Sequence, residues 1–244
     1  MNQIRNIIRR ELTGYFTSPV AYIFLIIFLM MAGWFTFSLG GFFMARQADL
    51  RSFFYWHPWL YLIFLPAIAM RLWSEERKSG TIQLLFTLPI TVPQAVIGKF
   101  LAAWIFHALA LFLTFPMVLT VMYLGDPDKG VILCSYIGSF LMAGSYLAIG
   151  SLTSSLTKNQ VVSFILAIVT CLVILLAGFN LVTDYLAAWF PVWVVDFIAS
   201  FGFWSHFESI QRGVIDLADL VYFASVIGLA LVLNITALQS RKAV

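Results

Sequence analysis

The sequence predicts an all-α integral membrane protein with six transmembrane helices. Three observations carry that prediction. The chain is 62% hydrophobic and only 10% charged over 244 residues, where a soluble domain averages about a quarter charged. Several apolar runs approach or exceed the roughly 18 to 20 residues needed to cross a bilayer. The 14 Lys and Arg residues cluster near the ends of those runs. A soluble fold of this length has no interior large enough to hide this much apolar surface. The small positive charge is scattered along the chain and does not point to nucleic acid.

The elements follow in order. Residues 1–18 carry Ile4, Ile7, Ile8, Leu12, Tyr15 and Phe16 at helical spacing on one face, with Arg5, Arg9 and Glu11 largely off it. This predicts an amphipathic helix lying in the interface, its basic groups toward anionic headgroups. The stretch lacks the apolar centre and small-residue cleavage site of a signal peptide. Spans are expected near 20–43, 53–72, 94–124, 131–156, 160–182 and 218–238. The second opens on "FFYWHPWLY", an aromatic cluster of interfacial type. "GDPDKG" (125–130) and "SLTKNQ" (155–160) are the polar turns on either side of the fourth span.

Residues 183–217 read as a re-entrant outer hairpin. Pro191 and Asp196 interrupt an apolar stretch there, and Trp189, Trp193 and Trp204 are the expected interfacial anchors. Irregular backbone at membrane depth requires cover from other protein.

The positive-inside rule orients the chain. Six spans put both termini on one side, with Arg5, Arg9, Arg10, Arg71, Arg77, Lys78, Lys99, Lys158, Arg241 and Lys242. Arg46, Arg51, Lys129 and Arg212 fall on the other. Ten cations against four place both termini and the 71–93 loop in the cytoplasm.

That loop, "RLWSEERKSGTIQLLFTLP", holds the densest charge in the chain. Ser74 is a candidate helix cap, with Glu75 and Glu76 suited to the positive end of the dipole. Gly80 permits a break, Pro89 ends the segment, and Ile82, Leu84, Leu85 and Leu88 offer an apolar face. Such an element can dock in a groove of a soluble partner, or serve only as a loop whose charges fix topology.

No phosphate-cradling "GxxxxGK[ST]" is present, no metal-type spacing joins the His, Cys and acidic residues, and no catalytic set stands out. Cys134 and Cys171 fall in apolar runs as packing residues. His107, inside the third span, is the titratable group to watch, since an ionisable side chain at membrane depth is expensive. Gly33, Gly40 and Gly41 in the first span, and Gly138, Gly144, Ser145, Gly150 and Ser151 in the fourth, suit close helix contacts.

"MRLWSEERKSGTIQLLFTLPITVPQAVIGKFLAA" resembles the signature of ABC-2 type membrane permeases. The core of the resemblance is Glu75-Glu76, Gly80-Thr81, Leu84-Leu85, Thr87 and Pro89, with Gly98-Lys99 opening the next span. It extends across the chain as a single transmembrane domain, 1–244, and is nearest to the gliding-motility-type subgroup. The resemblance implies the permease half of an ATP-driven transporter of the bacterial inner membrane, used for export or mechanical work. Two permease subunits, identical or different, would sit on an ABC ATPase dimer that holds the ATP and Mg, with no cofactor in this chain. A cytoplasmic coupling helix carrying Glu75, Glu76, Arg77, Lys78, Gly80 and Thr81 would contact that ATPase. The N-terminal connecting helix would bring Arg5, Arg9 and Arg10 near the ATPase or the lipid headgroups. The competing function class is a non-transporting membrane scaffold. A secondary transporter is disfavoured because it predicts paired midplane charges and inverted repeats, which the sequence lacks.

Overall fold

A computed structural model of the protein describes residues 2–82 and 90–240. Among the described residues the regular structure is helical throughout: α1 Asn2–Thr17, α2 Pro19–Trp34, α3 Arg51–Tyr55, α4 His57–Ala69, α5 Arg71–Ser79, α6 Val92–Phe112, α7 Phe115–Leu124, α8 Lys129–Leu156, α9 Gln160–Ala177, α10 Asn180–Ala187, α11 Val192–Ala199, α12 Phe203–Gln211 and α13 Leu217–Ser240. A π-helical turn, Phe35–Leu39, extends α2.

The turn chemistry starts the helices where it should. Ser18 accepts from Val20 N at 3.3 Å, with Pro19 in the first turn of α2. Asp128 of the "GDPDKG" turn accepts from Gly130 N at 2.8 Å and Val131 N at 3.2 Å to open α8. Asn159 of "SLTKNQ" does the same for Val161 N at 2.9 Å to open α9. Each satisfies backbone N–H groups that the first helical turn leaves without partners.

α8 is the axis of the bundle and packs against α4, α5, α6, α9, α12 and α13. Its small residues let the neighbours approach. A Cβ at Gly138 would lie 2.8 Å from Ile210, one at Gly144 2.9 Å from Trp104 and Ile227, and one at Gly150 2.5 Å from the Ala69 Cβ. Gly33 of the first span makes no such contact and faces open space; Gly41 serves a turn instead, with φ +60. Outward, α9 exposes Val161, Ile165, Val169 and Val173, and α13 exposes Val221, Leu229 and Val232. Continuous apolar faces of this kind are those of helices with lipid or another apolar surface around them.

Five stretches are long and apolar enough to cross a membrane: Pro19–Leu39, Val92–Leu124, Lys129–Leu156, Gln160–Ala177 and Leu217–Ser240. The protein is a multi-pass membrane protein. The expected second span, 53–72, is different in form. It is divided at Trp56 and Met70 into α3, α4 and α5, but both dividing residues keep right-handed helical backbone, so the path runs on as one broken rod from Arg51 to Ser79. Pro58 lies in the first turn of α4, where a missing N–H costs nothing, and Pro66 inside the helix withholds one N–H from the ladder. The third span is likewise divided into α6 and α7. Pro116 follows the break, where Thr114 Oγ1 donates to Leu111 O at 2.6 Å.

Before the last helix, three short helices stand where two were expected. Their tryptophans divide. Trp189 and Trp193 are about three-quarters exposed, as interfacial anchors would be. Trp204 is buried against Tyr55 and Phe179, with ring centroids at 5.1 and 5.0 Å, so it is packing rather than an anchor. Single-tryptophan variants should show this. A lipid-attached quencher at the membrane surface should quench Trp189 and Trp193 strongly and spare Trp204. Equal quenching of all three would contradict the packing described.

Candidate functional site

The broken rod α3–α5 needs support where it is divided, because a break at Met70 leaves helical N–H and C=O groups without partners. α8 supplies them from its last turns. Ser154 Oγ accepts from Trp73 N and Ser74 N, both at 3.1 Å, and donates to Met70 O at 2.8 Å. One donor and two acceptor sites are all that a hydroxyl has, so Ser154 is fully used. Ser151 Oγ accepts from Trp73 Nε1 at 3.1 Å and from Asn234 Nδ2 of α13 at 2.8 Å. Arg77 donates to Ser155 O at 2.5 Å. A serine ladder thus clamps α5 to the bundle.

Ser74 does not cap a helix as the sequence suggested. α5 already begins at Arg71, because it continues from α4, and the buried Ser74 hydroxyl turns back to Met70 O.

Beside the clamp lies a cluster of four charges from three helices. Lys99 of α6 is only 3% exposed. Its Nζ lies 2.8 Å from Glu76 Oε1 of α5 and 3.5 Å from Glu11 Oε1 of α1, donates to Leu72 O at 2.9 Å, and stands 5.1 Å from the Trp73 ring. Arg10 closes the cluster at 2.7 Å from Glu11 and 3.8 Å from Glu76. Two cations and two anions balance, which is what makes the burial tolerable. Burial drives the Glu11 carboxyl up, but Lys99 and Arg10 outweigh it and hold it below the ordinary carboxylate value. Next to the cluster, Ile7 is buried against Gly98, where a Cβ would come within 2.8 Å of it. α1 is therefore fastened to α6 by close packing and by charge together.

The expected contact residues part into two groups. Glu75, midway along α5, and Lys78, Gly80 and Thr81 at its end are exposed, and Gly80 ends the helix in left-handed backbone, φ 75. Glu76 and Arg77 turn inward, to Lys99 and to Ser155. On α1, Arg5, Arg9 and Arg10 are all exposed, and of the three Arg10 also reaches the cluster through Glu11 and Glu76. Leu84, Leu85, Thr87, Leu88 and Pro89 lie outside the described residues, as do Arg241 and Lys242.

Of the histidines, His57 and His107 are fully buried. His57 Nδ1 meets Ser139 Oγ at 2.7 Å, while neither ring nitrogen of His107 has a hydrogen-bond partner among the described residues. His206 of α12 joins Asp219 of α13 at 2.7 Å and Ser200 O, just after α11, at 3.0 Å. Among the described residues no group of three or more His, Cys, Asp or Glu side chains is placed to hold a metal.

A search of curated proteins gave no match. A family model described as "ABC-2 family transporter protein" matches residues 16–178. That stretch runs from the end of α1 through α9 and contains the whole of α5, the serine ladder and Lys99. With most of its length matched, and four of the five stretches long and apolar enough to cross a membrane inside the match together with the clamped charged helix, the chain belongs to the ABC-2 transporter family.

Proposed function

We propose that this chain is the permease subunit of an ATP-driven exporter, or force-transmitting complex, of the bacterial inner membrane, and that the tip of α5 is its grip on the ATPase. Family membership supports a permease component of an ABC transporter and implies association with an ABC ATPase. The observation that carries the rest is the build of α5. It is rigidly seated on α8 by Ser151, Ser154 and Ser155 and on α6 by Glu76 and Lys99. Yet it leaves Glu75 exposed midway along it and Lys78, Gly80 and Thr81 exposed at its end. A helix that is firm at its base and polar at its tip can pass a push from a soluble motor into the bundle.

In this reading residues 53–72 complete six crossings, and both termini and the α5 tip are cytoplasmic. The ATPase dimer holds the ATP and Mg, and a second permease subunit, identical or different, completes the pore. Placement in the gliding-motility-type subgroup rests on the sequence resemblance. The apolar outer faces of α9 and α13 suit a lipid-like cargo, or force transmission, better than a hydrophilic path.

A footprint tests this reading. With Cys134 and Cys171 replaced, Lys78→Cys should react with an impermeant maleimide in inside-out vesicles and be protected by bound ATPase. Lys129→Cys should react only from the opposite face. Labelling of Lys78→Cys from outside intact cells, or labelling indifferent to the ATPase, would contradict it.

A further inference from the structure

A cleft of about 620 Å³ opens between α1, the start of α2 and the junction of α4 with α5. Val20, Phe24, Ile68 and Phe106 form an apolar wall within it, and Arg71 and Glu75 also line it. Its size is that of a ligand pocket. Three further charges at the cleft, Arg10, Glu11 and Glu76, are already engaged in the Lys99 cluster. Arg71 and Glu75 are not. Both are exposed, and among the described residues neither side chain has a hydrogen-bond or ion-pair partner. They stand four apart on one face of α5, the spacing at which opposite charges commonly pair on a helix, but they do not pair with each other.

Their order along α5 is informative. α5 continues from the apolar α4, so with α4 in the bilayer Arg71 lies nearer the hydrocarbon and Glu75 about 6 Å farther out, just over one helical turn. A phospholipid with an ethanolamine headgroup has the same order: acyl chain, then phosphate, then ammonium. A glycerol headgroup offers the phosphate but no cation for Glu75.

We propose that this cleft binds a phosphatidylethanolamine-type lipid. Its phosphate lies on Arg71, its ammonium on Glu75, and an acyl chain lies along Val20, Phe24, Ile68 and Phe106. The site would make a membrane lipid a resident part of the joint between α1 and α5. It takes Glu75 for the lipid and leaves Lys78, Gly80 and Thr81 for the ATPase, and it is tested on the permease alone.

The full-length chain, purified in mild detergent, would be offered equal amounts of phosphatidylethanolamine and phosphatidylglycerol with matched chains, and retention read by native mass spectrometry. Retention should favour the ethanolamine lipid by about threefold, as expected for one exposed ion pair. Glu75→Gln should abolish the preference, and Arg71→Gln should lower retention of both lipids. Chain-free glycerophosphoethanolamine should compete poorly, because it cannot use the apolar wall. Equal retention of the two lipids, or a preference that survives Glu75→Gln, would overturn the proposal. If a variant fails to accumulate, the wild-type chain still decides. A photoactivatable phosphatidylethanolamine should label peptides containing Phe24 or Ile68 more than its glycerol counterpart does, and equal labelling would overturn the proposal.

Discussion

Lys99→Met should destabilise the protein by about 3–5 kcal/mol, the usual effect of removing one partner from a buried ion pair. The side chain is 3% exposed, and its removal leaves Glu76 with only the distant edge of Arg10 for compensation. Glu76 Oε2 is already buried without a partner, so the site has no slack. The expected readout is a sharp fall in the thermal midpoint of the purified chain and early release of α1. Adding Glu76→Gln in the same chain should recover much of the loss, because the orphaned charge goes with it. A solvated Lys99 would predict a small effect and no rescue. The same cluster sets an acid sensitivity. Glu11 titrates below its usual value in the folded protein. Its contribution is therefore complete above the unfolded carboxylate range and lost as pH falls through the lowered folded value. Lys99→Met should lessen this loss, since Lys99 is the strongest of the charges opposing burial at Glu11.

Gly150→Leu should be the most damaging glycine substitution in α8. Its Cβ alone would lie 2.5 Å from the Ala69 Cβ on α4, both on helices fixed by the serine ladder. Overpacking of this kind typically costs about 1–3 kcal/mol, and more where neither backbone yields. Folded yield after size-exclusion chromatography should collapse. Gly33→Leu is the control. It has open space around it, and the change should stay within about 0.5 kcal/mol. Equal loss at both positions would mean that glycine flexibility, rather than helix contact, is what matters.

Much of this was legible in the sequence because it follows from local pattern. The turns around α8 carried their own caps in Asp128 and Asn159. Of the apolar face expected on α1, Ile7 is buried and Ile4, Ile8, Leu12 and Tyr15 are half-buried, whereas Phe16 is exposed. The small residues of α8 sit at contacts because only they allow helices so close. What stayed hidden depends on partners far apart in the chain. Lys99 at the start of a span reads as a topology charge snorkelling to water, and nothing local says that Glu76 and Glu11 converge on it. Ser74 before two glutamates carries a helix-start signature, which fails because α5 grows out of α4. Ser151, Ser154 and Ser155 share a face at helical spacing, and that was the available signal for the clamp. Trp204 differs from Trp189 and Trp193 only through what packs on it.

The inward turn of Glu76 changes what a test of the ATPase grip should mutate. Glu76→Lys would set a cation against Lys99 and break the joint from within, so its loss of assembly would be ambiguous. Lys78→Glu reverses an exposed charge at the tip and leaves the clamp intact. The direct measurement is capture of the partner ABC ATPase by the purified chain, with wild type and Lys78→Glu compared at matched membrane levels and matched thermal midpoints. If the tip of α5 is the grip, Lys78→Glu should weaken capture by about tenfold or more, the scale set by one charge desolvated in an interface, and ATP turnover by the complex should fall with it. Undiminished capture and turnover would contradict the grip and return α5 to a loop that only fixes topology, in a chain better described as a scaffold.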